Sequence, residues 1–128
     1  MAIVLSYHGN EESEAALRLA VQLAKIQMTT LVVVLARKES ASDVRTSDDV
    51  EDRLFQDLGR GDVAFQVRFT RVDQQAADAV LEVAAELSAD FIVLGIRPGG
   101  SGVTSIGANA SRILLDAPCP VVTTTTHE

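Results

Sequence analysis

A glycine-rich stretch near the carboxyl end of the chain holds the residues best suited to bind a ligand. Residues 91–126 read FIVLGIRPGGSGVTSIGANASRILLDAPCPVVTTTT, which is an apolar run, a loop, a helical segment and a last apolar run. Glycines between a buried strand and a helix let the backbone approach a ligand closely, and the start of the helix offers unpaired N–H groups to an anion. Such loops also serve simply to turn the chain, so both interpretations stay open. The candidate anion-binding residues of this loop are Arg97, Gly99, Gly100, Ser101 and Gly102.

Two common phosphate-binding motifs do not fit this loop. A P-loop requires Lys followed by Ser or Thr after its last glycine, and the last lysine of the chain is Lys38. The dinucleotide-binding motif GxGxxG is met only in part, by Gly100 and Gly102 followed by Ser105. The sequence therefore predicts an anion site of another geometry, or none.

Residue types for catalysis or metal binding are sparse. The histidines are His8 and His127, and the single cysteine, Cys119, stands between two prolines. These residues do not form the spacing of a Cys–His pair or of a metal-ligand cluster. We therefore expect no enzyme and no metal site, and we interpret Cys119 as a packing residue.

Composition and charge narrow the class of protein further. A chain of 128 residues with 47% hydrophobic content predicts a single domain over residues 1–128. No apolar run approaches the roughly 20 residues that cross a bilayer, and no leader-like segment opens the chain, so we expect a cytoplasmic protein. A net charge of −7 and the absence of tryptophan disfavour nucleic acids and anionic membranes as partners.

The hydrophobic pattern predicts five strands, each of the first four followed by a helix. Apolar or alternating runs place the strands at residues 2–7, 30–36, 63–69, 91–94 and 121–126. Residues 37–49 have no apolar periodicity and are predicted to be a mobile loop. The predicted helix N-caps are Asn10, Asp73 and Ser105, and Gly59 with Gly61 is expected to end the second helix. Helical spacing predicts that the first helix buries Ala16, Leu19, Ala20, Leu23 and Ile26.

This alternation predicts an α/β fold with an open five-stranded parallel sheet and helices on both faces, a Rossmann-like architecture. Continuous apolar runs place the first, second and fourth strands at the centre, and weaker hydrophobicity places the third and fifth at the edges, so the order is 3-2-1-4-5. The winding then reverses between the first and fourth strands. A crevice is expected there, formed by residues 6–10, Ala36 and residues 95–109. Besides the loop residues above, its candidate ligand-binding residues are Ser6, His8, Gly9, Ala36, Gly95, Gly107, Ala108 and Asn109.

Two segments together resemble the universal stress protein family over nearly the whole chain. SYHGNEESEAALRLAVQLA corresponds to the family's first strand end, Asp-Gly-Ser, and the helix that follows it. VLGIRPGGSGVTSIGANASRILLDAPCPVV corresponds to the family's spaced glycines, last helix and Ala-Pro-Cys-Pro-Val strand. The resemblance implies the adenine nucleotide alpha hydrolase-like form of the Rossmann-like fold. It also implies dimers that pair through the last strand, here Val121, Val122, Thr123 and Thr124.

Departures from the family pattern fall on the positions that contact nucleotide in ATP-binding members. His8 stands in place of the Asp that helps to hold the nucleoside, and Pro98 stands in place of a loop glycine. Gly107 is followed by Ala108 instead of Ser or Thr, and the spacing from residue 98 is one residue short. The resemblance therefore favours a non-catalytic stress-response or signalling module with a degenerate nucleotide crevice, which holds no cofactor or only weak ATP, phosphate or sulfate. The alternative is a nucleotide-binding sensor with slow or no hydrolysis.

Overall fold

The central sheet has five parallel strands in the predicted order. The computed structural model describes residues 2–36, 44–71, 73–96 and 107–125. The strands are β1 (Ala2–Tyr7), β2 (Thr30–Leu35), β3 (Phe65–Phe69), β4 (Phe91–Ile96) and β5 (Val121–Thr125). Their order is β3-β2-β1-β4-β5, and every neighbouring pair is parallel. The predicted fold class, strand order and edge strands are therefore confirmed.

Strand position follows the burial that each sequence can sustain. Every residue of β1 is buried, whereas no residue of β3 or β5 is fully buried. β1 lies between β2 and β4, with Val4 beside Val32 and Ile92. A central strand covered on both faces requires the continuous apolar run that β1 and β2 have.

Four helices cover the two faces of the sheet. They are α1 (Glu11–Gln27), α2 (Val44–Arg60), α3 (Ala76–Glu86) and α4 (Ala108–Asp116). Buried side chains of α1 and α2 pack with Ile3, Leu5 and Tyr7 of β1 on one face. Buried side chains of α3 and α4 pack with Ala2 and Val4 of the same strand on the other. The alternation of β1 side chains thus divides the core into two layers.

The second helix differs from its prediction at both ends. It begins at Val44, so residues 44–49 of the predicted loop are helical, and residues 37–43 lie outside the described part of the chain. Leu54 and Leu58 are fully buried and anchor this helix, which compensates for a first turn without apolar periodicity. Gly59 lies inside the helix at an exposed position. Glycine there lowers the stability of the helix by up to about 1 kcal/mol relative to alanine. Only Gly61 follows the helix end.

Two predicted caps and one predicted core residue are wrong. The N-cap of α3 is Gln75, not Asp73, and the N-cap of α4 is Gly107, not Ser105. Ile26 is 73% exposed, because residues 25–28 at the end of α1 are all exposed and extend beyond the core. The cap of α1 is confirmed, since Asn10 Oδ1 accepts a hydrogen bond from the Ser13 N–H at 3.0 Å.

Candidate ligand crevice

The predicted crevice lies at the carboxyl edge of the sheet, beside β1 and β4. α1 follows β1 on one face, while α4 follows the neighbouring strand β4 on the opposite face. Open α/β sheets bind ligands where the helices after two neighbouring strands lie on opposite faces in this way. Ala36 closes the β2 side of this edge, where its N–H donates to the Tyr7 carbonyl at 3.1 Å.

Residues 8–10 form a tight, hydrogen-bonded turn between β1 and α1. Gly9 has φ of 81°, a left-handed conformation that glycine adopts without a steric penalty. The His8 N–H donates to Ser13 Oγ at 2.9 Å, and the Ser13 N–H donates in turn to Asn10. These reciprocal bonds hold the His8 backbone in a fixed position relative to the first turn of α1. Ser13 was missed in the sequence, although its position three residues after the N-cap is the usual place for a side chain that bonds back.

The His8 ring lies beside a buried hydroxyl. Ser6 Oγ is 3.3 Å from His8 Nε2, and Ser6 is only 2% exposed. Ser6 alternates with Tyr7 in β1 and so lies on the same side as Ala2 and Val4, which face α3 and α4. The contact brings the His8 ring to Ser6 on this side. This contact engages Nε2 and orients the imidazole. An imidazole can donate or accept one hydrogen bond at each nitrogen, but it does not offer the two acceptor oxygens of a carboxylate.

Gly95 is required by the approach of α1 to β4. A Cβ at this position would lie 2.0 Å from the Glu12 carbonyl oxygen and 2.5 Å from the Glu12 carbonyl carbon. Backbone atoms cannot rotate away, so only glycine allows the first turn of α1 to cross β4 at this distance. Gly95 therefore determines how closely α1 approaches β4.

The start of α4 forms the other described wall. Its N-cap, Gly107, supplies no side-chain cap, and a Cβ there would meet nothing within 4 Å. The Ser111 N–H makes the first helical hydrogen bond, to the Gly107 carbonyl at 2.9 Å. Asn109 Oδ1 accepts from the Ala77 N–H of α3 at 3.2 Å. The predicted loop residues Arg97, Gly99, Gly100, Ser101 and Gly102 lie outside the described residues.

A polar network of Tyr7, Glu14 and Arg53 was missed by the sequence analysis. The Tyr7 hydroxyl donates to Glu14 Oε1, and Arg53 of α2 lies 3.5 Å from the same carboxylate oxygen. Burial, followed by the hydrogen bond and the negative charge of Glu14, raises the pKa of Tyr7 well above its ordinary value. This network joins β1, α1 and α2 on the face of the sheet opposite to Ser6. Its members come from three different elements, so no single local pattern predicts it.

Other depressions of the surface differ from this crevice in position. An open groove of about 960 Å³ lies at the amino-terminal edge of the sheet, lined in part by Met28, Val63, Phe91 and Pro120. Ligands of open α/β sheets bind at the opposite edge.

In the described part of the chain, no three His, Cys, Asp or Glu side chains are grouped to hold a metal ion. Nor is any described helix long and apolar enough to cross a membrane.

The sheet order, the helices on opposite faces after β1 and β4 and the tight turn after β1 correspond to a known family. The model of the universal stress protein family matches residues 1–124. The chain belongs to this family. The predicted resemblance is therefore confirmed.

Among curated relatives, two universal stress proteins illustrate the range of chain lengths. One from Mycobacterium tuberculosis is 29% identical over 140 aligned positions, which cover 97% of this chain and 48% of the relative. One from Thermus aquaticus is 29% identical over 131 positions, which cover 94% of this chain and 95% of the relative. The chain thus spans about half the length of the mycobacterial relatives it matches and nearly all of the Thermus protein.

Solved universal stress proteins share the fold. The protein from Archaeoglobus fulgidus in complex with dAMP has a TM-score of 0.75 and 19% identity, and the match covers 96% of each chain. Two further universal stress proteins of this fold were crystallised with cAMP and, from Arabidopsis thaliana, with AMP, at TM-scores of 0.76 and 0.70. At these identities the likeness establishes the fold alone.

Proposed function

We propose that the protein is a non-catalytic, dimeric stress-response module whose nucleotide crevice is degenerate. The observation that carries the proposal is His8, held between Ser13 and Ser6 at the carboxyl end of β1. The family resemblance implies a nucleoside-binding Asp at this position. An imidazole does not offer the two acceptor oxygens of that carboxylate.

Three exchanged groups together weaken nucleotide binding. His8 removes a carboxylate, Pro98 removes a backbone N–H, and Ala108 removes a hydroxyl. Each lost hydrogen bond is worth about 1–3 kcal/mol, so the three together lower affinity by roughly 100-fold or more. A small anion such as phosphate or sulfate needs fewer of these contacts, and it is the ligand we expect in the crevice, if any.

Nucleotide sensing with slow or no hydrolysis is the second candidate function. The relatives of this fold that were crystallised with dAMP, cAMP and AMP favour it. The retained features of the crevice, Gly9, Gly95 and the uncapped start of α4, are compatible with a bound nucleotide. The two candidates differ in affinity and not in fold.

Dimerisation through β5 is the other part of the proposal. Within the described residues β5 pairs only with β4, so its outer edge offers backbone N–H and carbonyl groups to a second strand. Unprotected edges promote association, and pairing two copies across a twofold axis satisfies them. Val121, Val122, Thr123 and Thr124 form this proposed interface. The net charge of −7 disfavours nucleic-acid and anionic-membrane partners. A single domain in the cytoplasm is also part of the proposal.

The experiment that tests the degenerate crevice restores the missing carboxylate. His8→Asp should tighten Mg-ATP binding by about 10- to 100-fold, because one hydrogen-bonded charged group returns. His8→Asn is the matched control, since it has the same shape without the charge, and it should bind ATP as weakly as the wild type. A mass spectrum of the extract from denatured, purified wild-type protein should contain no stoichiometric nucleotide. Co-purified nucleotide, or His8→Asp binding no better than His8→Asn, would contradict the proposal.

A further inference from the structure

The first turns of α3 and α4 are joined by a pair of polar contacts in addition to their packing. Asn109 Oδ1 accepts from the Ala77 N–H at 3.2 Å. One turn further along α4, Arg112 Nη1 lies 2.6 Å from Asp78 Oδ1 of α3. Ile113, the residue after Arg112, is fully buried in the core layer shared by the two helices. Three residues at helical spacing (i, i+3 and i+4) on one side of α4 therefore hold it against α3.

Asn109 supplies a cap that α3 lacks locally. The N-cap of α3, Gln75, makes no side-chain cap hydrogen bond, and Ala77 is the second residue of the helix. The first N–H groups of a helix have no partner within it. Ala77 is 0% exposed, so water does not reach its N–H readily and an acceptor from elsewhere is needed. A residue of α4 that is 32 positions away in the chain provides it.

We propose that Asn109 is a positioning residue, which fixes the first turn of α4, and with it one wall of the crevice, by capping α3. Its carbonyl oxygen is engaged with Ala77, so the role assigned to it is exerted through the position of α4. The inference deepens the proposed function and rests on it only for its relevance to binding, because the contact itself is present without a ligand. The N–H groups of Ala108, Asn109 and Ala110, which face no side-chain cap from Gly107, are oriented by this contact.

The test separates capping of α3 from positioning of α4. Asn109→Ala removes both the cap of α3 and the contact that positions α4. Adding Gln75→Asp gives α3 a cap of its own. The backbone of Gln75 already has the extended conformation (φ −73°, ψ 145°) that an N-cap requires. Asn109→Asp is the conservative variant, which keeps the acceptor oxygen for Ala77 and loses the amide donor. Each variant is measured without ligand by thermal unfolding and by amide hydrogen exchange of residues 111–114. Mg-ATP is then titrated into each.

Asn109→Ala should lower the unfolding midpoint by about 4–8 °C and accelerate hydrogen exchange in the first turns of α4 by roughly tenfold or more. The double variant Gln75→Asp, Asn109→Ala should regain the midpoint but keep the fast exchange, and Asn109→Asp should retain slow exchange. Exchange that recovers with the midpoint in the double variant, or that is unchanged in Asn109→Ala, would overturn the positioning role. Tight ATP binding by the wild type would contradict the proposed function instead, and would leave the exchange results to decide the inference.

Discussion

Substitution of Gly95 is the sharpest test of how the crevice is built. In Gly95→Ala the added Cβ would lie 2.0 Å from the Glu12 carbonyl oxygen, whereas real Cβ contacts are at least 3.0 Å. The first turn of α1 must therefore move away from β4 by about 1 Å or more. Such a shift strains the hydrogen bonds from Ser13 to Asn10 and from His8 to Ser13, which hold the turn after β1.

The expected cost is large because the obstructing atoms belong to the backbone. Overpacking of a core costs about 1–3 kcal/mol, and a clash that no rotamer relieves belongs at the upper end, about 3 kcal/mol. At roughly 4 °C per kcal/mol for a chain of this size, the unfolding midpoint should fall by about 12 °C. Equilibrium unfolding in urea, followed by far-ultraviolet circular dichroism, measures the free energy directly.

Gly59→Ala is the matched control. Gly59 lies in α2, it is exposed, and a Cβ there would meet nothing within 4 Å. Exchanging glycine for alanine in a helix should raise the stability by about 0.5–1 kcal/mol. The two variants add the same methyl group and should change stability in opposite directions. If Gly95→Ala loses less than about 1 kcal/mol, the close crossing of α1 over β4 is wrong.

Three further predictions concern the buried tyrosine and the sheet edge. Tyr7→Phe removes the hydroxyl that donates a hydrogen bond to the Glu14 carboxylate. Because this bond involves a charged group, its loss should lower the free energy of unfolding, measured in urea, by about 1–3 kcal/mol. An unchanged free energy would refute the network. Because the pKa of Tyr7 is raised in the folded state, folding favours the neutral phenol, so its contribution is fully present below pH about 10 and is lost as the pH rises further. Urea titrations from pH 8 to 11 should show a smaller alkaline loss in Tyr7→Phe than in the wild type, and equal losses would contradict the assignment. Thr123→Pro should abolish the dimer, as measured by light scattering, because proline removes an N–H from the outer edge of β5. The control Thr123→Ala should preserve the dimer. A dimer that persists in Thr123→Pro would exclude this interface.

Thr123 is the appropriate position because of the ladder between β4 and β5. The Ile92 N–H donates to the Pro120 carbonyl at 3.0 Å. In a parallel ladder the backbone groups of alternate residues point to the same side, so residues 120, 122 and 124 face β4. Val121 and Thr123 then present their N–H groups outward. Proline at Val122 would instead disrupt the sheet within one chain.

Sequence patterns predict the fold well because buried positions are occupied by apolar residues, which can be read directly from the sequence. The continuous apolar runs of the central strands and the alternation in residues 63–69 were sufficient to place every strand in order. The end of the first strand, the tight turn at Gly9 and the cap at Asn10 were also predictable, since each depends on residues adjacent in the chain.

Features that depend on distant residues were not predictable. The cap of α3 was assigned to Asp73 because that residue type and position suited a local cap, but the acceptor is Asn109 from another helix. Similarly, the helical start of α2 depends on Leu54 and Leu58 being buried, which a local pattern over residues 37–49 does not reveal. The contact of Gly95 with α1 is also long-range, so the sequence indicated a glycine-rich site without the reason for this glycine.

Calorimetric titration of the wild-type protein with Mg-ATP at neutral pH tests the degenerate crevice most directly. With a carboxylate, an N–H and a hydroxyl exchanged at the nucleotide-contacting positions, we predict a dissociation constant weaker than about 100 µM. If phosphate or sulfate binds, its heat of binding should appear only at concentrations as high as those needed for ATP. A dissociation constant for ATP in the low micromolar range or tighter would contradict this account and would make the protein a nucleotide sensor.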